Sequence, residues 1–275
     1  MSTHPWRIED LDLPAYLARL GVEAREPGRA ALDELLEAHL RTFTFDNIDV
    51  LLGQHPGVAL QDVQDKFVSR GRGGYCFEHA TLFAAALERL GYEVQRLLGR
   101  VGDVTQAGRT HCVVVVTLDG QRLLADPGFG MSALRPIPLE DGAEDDYRGW
   151  SYRVRRATPD PGIATWQLYR FRESGWELMH TTDELPVQPV DMVMGHHFTS
   201  THPSSHFTKG LMLARHVEDR HITVTHDAIT VRMPGKPTEH RKLADGELEM
   251  MLRELEVPLT LAEQAQLLTT ADQLH

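Results

Sequence analysis

Cysteine is scarce: two in 275 residues, too few for a disulfide framework, so a reducing cytoplasm is the expected compartment. Positive charge is also in deficit. The 28 Lys and Arg stand against 40 Asp and Glu, a formal net charge of −12 with histidine neutral. General nucleic-acid binding needs a cationic footprint and is excluded by this balance. A small anionic ligand needs only a local basic pocket and stays open. No apolar run approaches the ~18 residues of a membrane helix, so no membrane role is expected. The longest run, Cys112-Val113-Val114-Val115-Val116, suits a buried strand. The opening Met1-Ser2-Thr3-His4-Pro5-Trp6 lacks the charged-then-apolar order of a signal peptide. Internal repeats are missing, as is the glycine pattern of a dinucleotide or P-loop site. What is present, 41% hydrophobic residues, can bury a real core. A soluble, cytosolic, globular protein of one to three domains is expected.

The first ninety residues read helical. Leu32, Leu35, Leu36 and Leu40 share one face, and Leu82, Phe83, Ala86, Leu87 and Leu90 repeat at helical spacing before Gly91. Between them, Arg70-Gly71-Arg72-Gly73-Gly74-Tyr75-Cys76 is a loop by composition. From about residue 93 the pattern changes to short strands at 94–101, 111–118, 123–126, 152–155 and 166–171. A hairpin through 172–175 leads into 176–180, and another pairs 222–225 with 229–233. The acidic stretch 140–146 reads as a solvated insertion. Leu248, Met251, Leu252 and Leu255 return to helical spacing, and Thr260 with Glu263 fits a capping box. Helices, then strands, then strands with helices favour an α+β fold over a doubly wound α/β one.

Cys76 sits where the glycine-rich loop meets a helix. A thiol there feels the positive end of the helix dipole, which favours thiolate, and Arg70 and Arg72 push the same way. The glycines let backbone N–H groups approach a substrate carbonyl. The alternative is a small buried hydrophobe, the commonest fate of a free cysteine; Cys112, on the opposite strand face from His111, is read as core. His111 opens the apolar strand, and Asp126 ends the next one, before Pro127-Gly128. If those strands pair through Asp119-Gly120, His111 and Asp126 lie at one end of the hairpin. Carboxylate, imidazole and thiol then supply the orienter, base and nucleophile of thiol catalysis. A core histidine and a plain turn are the competing readings. Metal binding is the other use for fifteen histidines. His196, His197, His202 and His206 cluster, and His216, His221 and His226 are five apart, a spacing that alternates strand faces. Neither set matches a zinc pattern, so no metal site is expected.

Together, Arg72-Gly73-Gly74-Tyr75-Cys76-Phe77-Glu78, Thr110-His111 and Asp126-Pro127-Gly128-Phe129-Gly130 resemble the arylamine N-acetyltransferase family. Phe45-Asp46-Asn47-Ile48-Asp49-Val50-Leu51 and Thr199-Ser200-Thr201-His202-Pro203-Ser204-Ser205-His206-Phe207 add to the likeness, which spans nearly the whole chain. The resemblance implies a helical bundle over 1–91 carrying the nucleophile loop, a β-barrel-like domain over 92–207 and an α/β lid over 208–275. It implies a papain-like arrangement carried by Cys76, His111 and Asp126, with Thr110, Gly128, Phe129, Gly130 and Phe207 lining the cofactor and acceptor cleft. The implied activity is ping-pong transfer of acetyl from acetyl-CoA, a substrate and no tightly bound cofactor, to an arylamine or arylhydrazine. The histidines at 202–206 then belong to a family loop.

Two positions depart from the family pattern. Asp46 stands where glutamate is usual, and is expected to pair with Arg72 at altered reach; Ala80 stands where asparagine is common. A donor bearing several phosphates also requires a basic rim despite the net charge, with Lys209, Lys236, Arg241 and Lys242 as candidates. The same three catalytic groups serve a thiol hydrolase or a macrolactam-forming amide synthase. Rapid acetyl-CoA hydrolysis without amine would mark the first, and failure with simple arylamines the second.

Overall fold

The structure is a computed structural model describing residues 4–160 and 163–274; the start of the segment read for a leader, residues 1–3, lies outside the described residues. Among the described residues no helix is long and apolar enough to cross a membrane.

The chain begins with helices α1 (Leu13–Leu20) and α2 (Arg29–Thr42), a short strand β1 (Phe45–Asp46), and helices α3 (Ile48–Leu51), α4 (Leu60–Gln64) and α5 (Cys76–Arg89). The leucine face of α2 and the Leu82, Phe83, Ala86 and Leu87 face of α5 are buried in one core. Each such leucine is worth about 1.5–3 kcal/mol in removed apolar surface, enough to fix α5, and with it Cys76, against the rest of the molecule.

Strands β2 (Glu93–Arg100), β3 (His111–Leu118), β4 (Gln121–Ala125), β5 (Ile137–Pro138), β6 (Glu144–Tyr147), β7 (Trp150–Asp160), β8 (Ile163–Arg172) and β9 (Gly175–Asp183) follow. They form one antiparallel sheet in the order β5-β4-β3-β2-β9-β8-β7-β6, and its far edges return to each other in a nearly closed barrel. Val113 and Val115 face the barrel core while Val114 and Val116 face α5. Burial on both faces explains why this strand is an unbroken apolar run. The acidic stretch is largely exposed, as expected, but its second half is a strand and not a loop. Glu144 to Tyr147 pair with β7, and Asp145 is buried because Arg135 meets its carboxylate at 2.6 Å.

Helix α6 (Pro189–Thr201) packs on α5. Then come β10 (Met212–Val217), β11 (Arg220–Thr225), β12 (Ala228–Arg232), β13 (Glu239–Lys242), α7 (Glu247–Glu254) and α8 (Leu261–Asp272). The second sheet runs β1-β10-β11-β12-β13, so the N-terminal β1 is stitched to the C-terminal sheet, Phe45 opposite Ala214. Leu213, Ile222 and Val224 of this sheet bury against Leu248, Met251, Leu252 and Leu267 of α7 and α8. Thr260 caps α8 by accepting from Glu263 N at 3.2 Å. The α+β expectation is borne out. The five-residue histidine spacing, by contrast, does not alternate faces. A hairpin turn falls between residues 216 and 221, so His216 stands directly opposite His221.

Candidate active site

Cys76 is the first residue of α5 and 4% exposed. The loop before it is pinned to β1: Asp46 N donates to Gly74 O at 2.7 Å and Gly74 N to Thr44 O at 3.2 Å. Glu78 holds the helix start, accepting from Tyr75 N at 3.1 Å and pairing with the buried Lys66 at 2.7 Å. The thiol therefore stands on the unpaired N–H end of a helix that cannot shift easily.

The loop's arginines are engaged elsewhere. Arg72 pairs with Asp49 at 2.7 Å and Glu263 at 2.6 Å, and Arg70 with Asp65 at 3.1 Å. The expected Asp46–Arg72 pair is absent among the described residues. The shorter Asp46 side chain turns back to Thr44 Oγ1 at 2.7 Å and Ile48 N at 3.1 Å, leaving Arg72 to Asp49. Ala80 is fully buried in the core.

Pairing of β3 with β4, Val114 opposite Ala125, sets His111 and Asp126 at one end of the hairpin. His111 Nε2 lies 3.0 Å from Asp126 Oδ2. Its Nδ1 is left for the thiol of Cys76, whose nearness also raises the imidazole's pKa; Sγ itself reaches Thr110 O at 3.5 Å. Burial alone would expel the proton from His111, but the Asp126 carboxylate outweighs it and lifts the imidazole to about 10. Burial opposes charge on Asp126 too, yet His111 and His180 hold its carboxyl well below the usual range.

His180 is the neighbour that sequence reasoning missed. Fully buried on β9, it directs Nε2 at the same Asp126 Oδ2 from 3.2 Å, its ring 4.8 Å from that of His111. Burial, with His111 beside it, lowers its pKa, so it stays neutral. The signal that would have found it is tertiary: Gly99 of β2 pairs with both His111 and Thr182, which brings His180 alongside. The ligand atoms of His111, Asp126 and His180 lie within 4.8 Å of one another, a spacing a metal ion can span. The other histidines diverge: His196 turns to Tyr75 Oη at 2.5 Å, and His202 to Ser204 Oγ at 2.7 Å.

Of the remaining predicted residues, Thr110 and Gly128 lie against Cys76. Thr110 supplies the carbonyl near the thiol. Gly128 N donates to Asp126 Oδ1 at 3.1 Å, and a Cβ there would come within 2.7 Å of Cys76 Cα, so only glycine allows this approach. Phe129 meets the His111 ring edge-on at 5.2 Å. Gly130 lies against Phe45, and Phe207 packs on Phe45 and Tyr75 at 6.1 and 5.2 Å. Cys112 is fully buried, its thiol pushed up by burial, and belongs to the core.

Residues 30–264 match the N-acetyltransferase family model. The arylamine N-acetyltransferase of Mycolicibacterium smegmatis is 36% identical over 240 residues, covering 84% of this chain and 85% of that protein. The structure of the Mycobacterium abscessus arylamine N-acetyltransferase superposes with a TM-score of 0.92 at 31% identity, covering 99% of both chains. That of the Mycobacterium marinum enzyme in complex with CoA gives 0.86 at 31% identity, over 96% of this chain and 99% of that one. With its thiol, imidazole and carboxylate in one cluster, the chain belongs to the arylamine N-acetyltransferase family and is an acyltransferase.

Proposed function

We propose that the protein transfers an acetyl group from acetyl-CoA to the nitrogen of an arylamine or arylhydrazine through an acetyl-Cys76 intermediate. The observation that carries this reading is the Cys76–His111–Asp126 arrangement at the start of α5. The arylamine specificity named for the relatives and the CoA bound to the M. marinum enzyme support donor and acceptor class.

Cys76 Sγ attacks the thioester carbonyl, the bond from carbon to the CoA sulfur breaks, and His111 returns its proton to the departing CoA thiolate. Donor and acetyl-enzyme are both thioesters, so this exchange is close to balanced. The amine then attacks the acetyl carbon, its proton passes to His111, and Cys76 leaves as thiolate. Asp126 holds the imidazole with Nδ1 toward sulfur throughout. Thr110, Gly128 and Gly130 border the reacting carbonyl, while Phe129 and Phe207 offer aromatic walls to the acceptor ring.

A cavity of about 540 Å³ between the β7–β8 strands and the β12–β13 turn suits the donor's phosphates. Arg170, Arg172, Arg232 and Lys236 line it. Glu177 serves Arg170 and Arg172 together, at 2.9 Å each, and among the described residues Arg232 Nε has no hydrogen-bond partner. Burial beside the two arginines brings Arg232 down to about 10. Of the rim candidates read from sequence, Lys236 lies here; Arg241 is tied to Glu247 at 2.7 Å, and Lys209 and Lys242 are exposed elsewhere. Replacing Arg232→Ala should raise the acetyl-CoA KM about tenfold, the worth of one charged hydrogen bond, with kcat unchanged. A KM that ignores both this change and ionic strength removes the cavity from the donor site.

The test of the whole reading is intact mass after brief mixing with acetyl-CoA, followed by peptide mapping. One acetyl group on Cys76 that vanishes when an arylamine is added supports two-step transfer, and Cys76→Ala should show none. An adduct that decays as fast without amine would make the protein a hydrolase instead.

A further inference from the structure

His216 and His221 take no part in the chemistry above, yet they are 3% and 1% exposed. Opposed across β10 and β11, their rings stand 4.7 Å apart. Each sends Nε2 out of the C-terminal sheet to the segment that follows Asp126. His221 donates to Gly130 O at 2.7 Å and His216 to Ser132 O at 3.1 Å. Ser132 Oγ in turn accepts from Phe129 N at 3.1 Å. That segment has no helix or strand of its own between β4 and β5, so these bonds, with that from Tyr152 Oη of β7 to Met131 O at 3.4 Å, hold its course. It carries Phe129 against His111 and Gly128 against Asp126. Burial holds both histidines neutral, so each offers one N–H to a carbonyl and brings no charge beside the site.

We infer that His216 and His221 are positioning residues, by which the C-terminal sheet clamps residues 129–132 and so sets where Phe129 stands against His111. The consequence for turnover rests on the acetyl-transfer reading; the clamp itself does not. His221→Phe keeps a ring of similar size without the N–H, whereas His221→Gln keeps an N–H at similar reach. Both are compared with wild type in the rate of Cys76 alkylation by iodoacetamide and in single-turnover acetylation by acetyl-CoA. A wall displaced by a fraction of an ångström beside the base should slow both steps on the order of tenfold or more in His221→Phe. His221→Gln should recover most of that loss. A folded His221→Phe protein with wild-type rates overturns the clamp, as does an equal loss in His221→Gln, which would make ring packing the cause. Should His221→Phe fail to fold, the same pair is made at His216. Failure of wild type to take acetyl from acetyl-CoA would sink the transfer reading, and the alkylation rates would still decide the clamp.

Discussion

His111 and His79 are buried alike, 3% and 1% exposed, and both stand near the nucleophile, His79 one helical turn beyond it on α5. Their protonation runs in opposite directions. His111 is lifted to about 10, whereas His79 is held down at about 4, chiefly by burial. The acceptors differ. His111 faces the Asp126 carboxylate, but His79 Nε2 faces only the carbonyls of Thr44 and Gly74, at 3.1 and 3.2 Å. Its Nδ1 accepts from His39 Nε2 at 2.8 Å, and His39 Nδ1 accepts from Tyr16 Oη at 2.9 Å. Every polar atom of that relay is satisfied with both rings neutral, so it braces the bundle and has no proton to trade near pH 7. Burial expels the proton from an imidazole, and a carboxylate at hydrogen-bond distance brings it back.

The most severe way to break the comparison is Asp126→Asn, which leaves the shape and removes the charge. His111 should then behave like His79, and kcat should fall by about 10³–10⁴-fold as its tautomer and charge are lost. In wild type the imidazolium persists as pH rises until about 10; in the variant it should be gone by neutrality. NMR titration of the His111 ring reads this directly. An unchanged titration would show that something other than the carboxylate separates the two histidines.

A smaller effect sharpens the same point at His180, which shares Oδ2 with His111 but does not carry the proton. Its part is to hold Asp126 in place. His180→Leu should lower kcat up to about tenfold, as the carboxylate loses its 3.2 Å polar contact with the second imidazole, with donor KM unchanged. His180→Gln should recover much of the loss. Equal losses in both variants would assign His180 to packing alone.

Much of this centre was legible because its parts are local. Asp119 and Gly120 have φ of 51° and 78°, the two positive values a tight hairpin needs, and that turn brings His111 and Asp126 to one end. The continuous apolar run announced a buried strand. His180, His216 and His221 gave no such signal, since their importance comes from strand pairings and a sheet-to-loop contact between distant parts of the chain. Arg72 shows the opposite failure. Closeness in sequence suggested help for Cys76, whereas the fold spends it on Asp49 and Glu263, the latter 191 residues away. Helix α6 was missed because it carries no apolar stripe; Val190, Val193 and Met194 lie exposed on it.

The smallest effect expected is on stability, with the sign set by which state binds protons first. An unfolded His79 takes its proton near pH 6.5, the folded one only near 4. As pH falls between those values the unfolded chain gains protons ahead of the folded one, so stability drops, by about 3 kcal/mol for a single such site. His111 runs the other way: its contribution is complete below pH 6.5 and is lost as pH rises through about 10. The acid and alkaline limbs of a Tm-against-pH curve therefore belong to different histidines. His79→Gln should lower Tm at neutral pH by a few degrees, make the acid limb shallower and leave the alkaline limb alone. His39, His216 and His221 keep the acid limb from vanishing, since burial lowers all three. His111→Gln should flatten the alkaline limb only. If His79→Gln left the acid slope as it was, the relay would be carrying its proton after all, and a missing carboxylate would no longer tell a bracing histidine from a reacting one.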